Sequence, residues 1–210
     1  MTNFYYIIKR LFDLCISGVF FTVLSPVYII VALAIFRQDG HSPLYSHIRI
    51  GKDKKPFRFY KFRSMIVNAD EVLFKNKDLY NKMRSGVNKV EDDPRITKVG
   101  HFIRKYSLDE LPQILNVLKG EMSFIGPRAL RPDEFEGYEK QSDENARKLS
   151  VMTSVKPGIT GLWQVSGRSN IDFETRMNME CDYAKNLSPW LDLKILIKTP
   201  LAVLKGEGAY

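Results

Sequence analysis

Residues 11–36, LFDLCISGVFFTVLSPVYIIVALAIF, form the one run in the chain built for lipid. As a straight helix these 26 residues would extend ~39 Å at ~1.5 Å each, beyond the ~30 Å hydrocarbon core of a bilayer. Ser25-Pro26 interrupts the run near its middle. Proline removes a backbone donor and clashes with the preceding turn, so a sharp kink is expected there. The two arms, ~21 and ~17 Å long, are each too short to cross alone. Lys9 and Arg10 precede the run, and Arg37, Arg49, Lys52, Lys54 and Lys55 follow it. Basic residues at both ends favour a helix that enters and returns on one side, with both ends cytoplasmic. A kinked single span fits the pattern and the flanks equally well. A cleaved signal peptide does not, because the apolar region is too long and no small-residue cleavage site follows it. The pattern divides the chain into a membrane segment, 1–38, and a second domain, 39–210.

Beyond the run, residues 43–65 predict two short strands around a Gly51-Lys52-Asp53-Lys54-Lys55 turn, with Phe57, Phe59, Lys61 and Arg63 on one face. Residues 68–83 read as one charged, exposed helix, followed by a loop containing Gly86 and a turn at 91–94. A basic amphipathic helix is expected over 97–106, carrying Lys98, Arg104 and Lys105. Leu111, Ile114, Leu115 and Leu118 repeat at helical spacing up to a stop at Gly120, and Pro112 sets the helix start near Asp109. A strand over 122–125 turns out through Gly126-Pro127-Arg128. An exposed polar helix follows over 132–148, then an apolar strand over 162–165 after two turn glycines. Residues 190–198 predict an amphipathic helix whose Trp190, Lys194 and Lys198 suit a membrane interface or a packed core about equally.

The 210 residues suffice for one domain with a real core plus an appendage, and the net charge of +8 implies an anionic partner: nucleic acid, anionic lipid or a phosphorylated substrate. Cys15 and Cys181 have no paired spacing, and His41, His47 and His101 are scattered, so neither a disulfide framework nor a cysteine-based zinc site is expected. This cysteine usage fits the cytosolic side of a membrane.

Candidate chemistry concentrates in SLDELPQILNVLKGEMSFIGPR, residues 107–128. Asp109 and Glu110 fall at a helix N-terminus, where free N–H groups and the dipole favour ionised carboxylates and attract phosphate. An ionised aspartate beside an anion site can attack phosphorus. Ser107 and Glu110 equally match an S-x-x-E capping box, in which the acids only cap. Arg128, on a turn at a strand end, can fork onto phosphate oxygens or form a surface ion pair. The basic and aromatic hairpin fits single-stranded nucleic acid. Its position beside the membrane segment favours lipid headgroup or phosphate.

Ser25-Pro26 in the apolar run, KFRSM at 61–65, DPRITKVG at 93–100, the 107–128 stretch and KPGITGLWQVSGR at 156–168 together resemble the bacterial sugar transferases, the monotopic phosphoglycosyl transferases, across nearly the whole chain. The resemblance implies an α/β chain: a small membrane-associated catalytic domain with a β-hairpin, amphipathic interfacial helices and an N-terminal re-entrant membrane helix. It also implies the bacterial inner membrane, with the catalytic domain on the cytoplasmic face. The chain is similar to the minimal catalytic form, without the added N-terminal membrane helices of larger relatives. Carried over by position, Asp109 would be nucleophile and Mg²⁺ ligand, and Glu110 its partner. Asp109 would take a sugar phosphate from a UDP-sugar, expel UMP and pass the group to polyprenyl (undecaprenyl) phosphate, the first membrane step of polysaccharide or glycoconjugate assembly. Lys61, Arg95, Arg104, Arg128 and Arg168 would contact the diphosphate or nucleotide, each with a structural ion pair as the alternative. The implied partners are the donor, the acceptor and the bilayer, with no nucleic acid; a homo-oligomer is compatible. The family pattern often has Pro-Arg-Pro where this chain has Pro127-Arg128-Ala129, which leaves the stiffness of that loop open. Two rivals remain: a membrane-tethered basic scaffold holding anionic lipid or nucleic acid, which needs no carboxylate pair, and a glycosyltransferase that releases UDP. Sugar and pathway are not readable from these residues.

Overall fold

A computed structural model describes residues 3–84 and 93–205. The predicted Gly86 loop and the first half of the 91–94 turn lie outside those residues. Helix α1, Asn3–Val23, and helix α2, Ser25–Asp39, meet at a bend of 61°. Leu24 leaves helical geometry, Ser25 Oγ donates to Thr22 O at 2.8 Å, and Pro26 falls in the first turn of α2, where no N–H is missed. The kink is therefore placed where the sequence puts it. Both helices run past the apolar arms, yet among the described residues no single helix is long and apolar enough to cross a membrane; the bent pair together has the length and composition.

Strands β1, Leu44–Ile50, and β2, Pro56–Phe62, form the expected antiparallel hairpin, with Leu44 opposite Phe62 and Ile50 opposite Pro56. Alternation along β2 buries Phe57 and Phe59 and turns Lys61 to the same side. The helix expected over 68–83 is two, α3 (Ala69–Lys75) and α4 (Lys77–Arg84), separated by extended backbone at Asn76. Asn76 breaks the helix because its side chain accepts the N–H of Leu79, which starts a new helix. Helix α5, Lys98–Lys105, forms as read, with Thr97 accepting the Gly100 N–H as its N-cap. A 3₁₀ segment, Leu108–Gln113, leads into α6, Ile114–Lys119, which ends at Gly120 with φ +82°.

Strand β3, Ser123–Ile125, emerges next. The polar stretch after it is two helices, α7 (Pro132–Glu139) and α8 (Asp143–Met152), and not merely an exposed surface. Their Phe135, Tyr138, Leu149 and Met152 close a core with Met177 and Cys181. Strand β4, Gly158–Thr160, pairs in parallel with β3. The apolar strand expected over 162–165 is instead a short helix, α9, Leu162–Ser166. A four-residue apolar run carries no period that separates strand from helix. Helix α10, Phe173–Lys185, and helix α11, Pro189–Lys205, complete the fold.

The two N-terminal helices are tied to one body. Arg10 donates to the carbonyls of Val117 and Leu118, satisfying the C-terminus of α6. Asp13, buried, accepts Ser123 Oγ at 2.9 Å and Phe124 N–H at 2.8 Å. Lys9 pairs with Asp192 of α11 at 2.7 Å. From α2, Val31 and Ile35 pack with Phe62 and Ile103, each such burial contributing about 1.5–3 kcal/mol. The end of α2 is held by Asp39 on Arg63.

Candidate active site

The acidic pair sits on the 3₁₀ segment, and the capping reading fails there. Ser107 adopts the left-handed conformation, φ 55°, and its side chain makes no cap bond. Glu110 turns away from the backbone to accept Lys61 Nζ at 2.9 Å and Arg128 Nη2 at 2.8 Å. Asp109, 6 % exposed, shares Lys61 at 3.1 Å. The helix proper begins only at Ile114, after Pro112, so the acids precede it by a turn.

Burial alone would raise the Glu110 pKa; the charges of Arg128 and Lys61, with their hydrogen bonds, overcome it and hold the carboxyl well below the usual range. Burial likewise opposes the Arg128 charge, but Glu110 and Asp109 outweigh it and raise its pKa. Both stay ionised across the physiological range.

These groups lie on the wall of a cavity of about 630 Å³. Arg104 reaches it from the end of α5, and its buried Nη1 has no hydrogen-bond partner. Arg168 lines it too, at φ 54°, donating Nε to Gln164 O at 3.3 Å; burial lowers its pKa, with Glu110 acting against that. Much of the remaining lining is apolar, including Phe20 from α1, Phe124, and Leu196, Val203 and Leu204 from α11. Arg95 is not on this wall. It is 3 % exposed and clasps Asp93, Nη2 to Oδ2 at 2.6 Å, in a buried ion pair. Ser25 and Pro26 serve only as the bend between the two N-terminal helices.

The turn bearing Arg128 is held at five consecutive residues. Gly126 N–H donates to Thr160 O at 2.9 Å, Gly158 N–H to Pro127 O at 2.8 Å, and Arg128 N–H to Glu180 Oε1 at 3.0 Å. Arg49 Nη1 donates to Ala129 O at 3.1 Å and Ile50 N–H to Leu130 O at 2.9 Å. A Cβ at position 158 would stand 2.0 Å from Gly126 N, so this approach requires glycine. Arg49 is itself oriented by His47, whose Nε2 accepts at 2.7 Å. Burial, then the charges of Arg49 and Lys61, push His47 down to about 3, so it is neutral. Hydrogen bonds thus supply the stiffness that a second proline would give.

Sequence reasoning assigned no role to α10, which brings Glu180 and Arg176 beneath this turn, nor to Trp163, whose ring meets Arg128 at 5.8 Å and Arg176 at 4.5 Å. A signal existed for Glu180: it shares the face of Phe173, Met177, Cys181 and Ala184, where an acid is out of place.

Among the described residues, no group of three or more His, Cys, Asp or Glu side chains stands ready to enclose a metal ion. Two adjacent carboxylates nevertheless suit Mg²⁺, which takes one or two from protein and the rest from water and substrate phosphates. A floor of paired acids and bases, with an apolar flank, can bind a phosphate ester that carries a lipid-soluble part.

The chain belongs to the bacterial sugar transferase family, whose model matches residues 4–206. It is 45% identical over 206 residues to the UDP-galactose-lipid carrier transferase of Erwinia amylovora, covering 97% of this chain and 42% of that protein. It is 44% identical over 206 residues to the undecaprenyl-phosphate galactose phosphotransferase of Salmonella typhimurium, with 97% and 42% covered. The exopolysaccharide production protein ExoY of Sinorhizobium fredii is 42% identical over 206 residues, with 96% and 88% covered. The chain spans less than half the length of the first two relatives.

Proposed function

We propose that this chain transfers a sugar 1-phosphate from a UDP-sugar to undecaprenyl phosphate at the cytoplasmic face of the bacterial inner membrane, for polysaccharide assembly. The observation that carries this is the Asp109–Glu110 pair, bracketed by Lys61 and Arg128, in a cavity whose apolar lining is made in part by α1 and α11. The names of the relatives support donor and acceptor class.

Asp109 attacks the sugar-bearing phosphorus, and the bond from that phosphorus to the bridging oxygen breaks, so UMP leaves and an aspartyl sugar-phosphate remains. An oxygen of undecaprenyl phosphate then attacks the same phosphorus and releases the Asp109 carboxylate. Two easier displacements replace one. Lys61 and Arg128 offset charge on the phosphoryl oxygens, and the unpartnered nitrogen of Arg104 gives a third donor to the diphosphate. Asp109 would hold Mg²⁺, which neutralises diphosphate charge when bound. Residues 1–38 act as a re-entrant anchor for the catalytic domain, 39–210. Arg10 and Asp39, from the two helices of the bent pair, bind the same body, which supports a pair whose two ends lie on one side of the bilayer.

Membranes carrying the chain are incubated with a panel of UDP-sugars and undecaprenyl phosphate. UMP and a lipid-linked sugar are expected for one donor, with turnover abolished by Asp109→Asn while membrane insertion is unchanged. Release of UDP would instead indicate an ordinary glycosyltransferase. Absence of nucleotide release with every donor would leave the scaffold reading.

A further inference from the structure

Resting on that transfer reading, we infer that Glu180 is a positioning residue: its buried carboxylate holds the backbone of Arg128 so that the guanidinium stays over Glu110, and loss of its charge slows attack by Asp109. Glu180 is fully buried on α10, on the face it shares with Met177 and Cys181. A carboxylate there is costly unless it is bound to something. Its Oε1 accepts the Arg128 N–H at 3.0 Å, and its Oε2 has no partner. It therefore holds the main chain of the residue whose side chain clamps the acidic pair, one carboxylate on each side of Arg128.

The charged groups facing it are few. Arg176 lies one turn away on the same helix, over the Trp163 ring, and Arg128 faces it from the turn. Cys181 adjoins it, with a thiol raised by burial. From α8, Lys148 is engaged by Glu174 and Glu144, and from α7, Glu134 bears on Arg176. Helix α9 presents Trp163 and Gln164, neither of which titrates. Burial pushes Glu180 up to about 7, against the pull of Arg176 and the Arg128 N–H. The carboxylate form makes the stronger, charge-assisted bond, so the held state of the turn is favoured above that pH and weakened below it.

The acceptor's own phosphate ionises near neutrality, so the test uses the acceptor-free burst of UMP, measured from about pH 5.5 to about pH 8.5. In wild type the burst rate should rise with pH through about 7. Glu180→Gln keeps an oxygen for the Arg128 N–H but cannot ionise; its burst should be slower by roughly 10- to 100-fold at high pH and flat across the window. Arg128→Ala should also be flat, and adding Glu180→Gln to it should cost nothing further. A Glu180→Gln profile that keeps the wild-type inflection overturns the inference, as does multiplication of the two losses in the double variant. If Glu180→Gln does not fold, the Arg128→Ala profile decides, since an inflection retained there overturns the coupling. A wild-type protein with no UMP burst at any pH would overturn the two-step transfer instead.

Discussion

Asp109 and Glu110 are neighbours with different charge environments, and under the proposed transfer that difference would divide their roles. Glu110 accepts from both Lys61 and Arg128 and is held ionised, so it is no proton donor at neutral pH; under the proposed transfer it would anchor the two cations beside the phosphorus. Among the described residues Asp109 hydrogen-bonds only to Lys61, which under the proposed transfer would leave it the freer of the two to act as nucleophile. The residue types were legible in the chain, whereas the distinction was not, because it depends on Lys61 and Arg128 arriving from positions 48 and 18 residues away. Arg95 shows the opposite outcome. Its motif suggested a substrate contact, yet Asp93, two residues earlier, takes it into a buried pair. Removing one partner of such a pair leaves the other charge stranded, at about 3 kcal/mol or more. Arg95→Ala should therefore lower the melting temperature by several degrees or more and leave the KM for the donor unchanged in the folded fraction. A rise in KM with unchanged stability would return Arg95 to the substrate.

Elements with strong local signals were legible: the hairpin around 51–55, the Thr97-capped helix, the stop at Gly120 and the break at Ser25-Pro26. Elements decided by tertiary contact were not. Leu162–Ser166 winds into a helix between Gly161, which packs against Gly126, and the bend at Gly167, and its short apolar run gave no period to say so. The S-x-x-E box lost to Lys61 and Arg128, since two charge-assisted bonds outweigh a cap of about 1 kcal/mol. The bent N-terminal pair joins a local signal to tertiary ties at both ends. Its topology is tested with cysteines at Phe4 and Gln38 in a Cys15→Ser background, since Cys15 is exposed and Cys181 buried. Both new thiols should react with an impermeant reagent only from the cytoplasmic side. Labelling of position 4 from the opposite side would mean a span and would break the ties of Lys9 and Arg10.

At the scale of the whole molecule, the cavity belongs to no single motif. Its charged groups come from β2, the 3₁₀ segment and the Arg128 turn, while much of its apolar lining comes from α1, β3 and α11. Helix α11 also exposes Ile197, Leu201 and Leu204, at 68, 58 and 74 %, and Leu204 belongs to the cavity wall as well. The sequence showed each half, an apolar run and an amphipathic final helix, but their closure over one site depends on Lys9–Asp192 and on Tyr5 and Phe12 packing against the core around Ile195. The proposed two-step transfer would make the halves separable by experiment. Under that proposal the donor would need the floor, and the lipid acceptor the wall as well. Leu204→Gln sets a polar amide on the wall, away from Lys61 and Arg128. It should raise the KM for undecaprenyl phosphate several-fold, consistent with the ~1–3 kcal/mol cost of imposing an unpaired polar group on an apolar path. The acceptor-free UMP burst should keep its wild-type rate and amplitude. A slowed burst would place this helix in donor binding, and an unchanged acceptor KM would mean the lipid enters by another route.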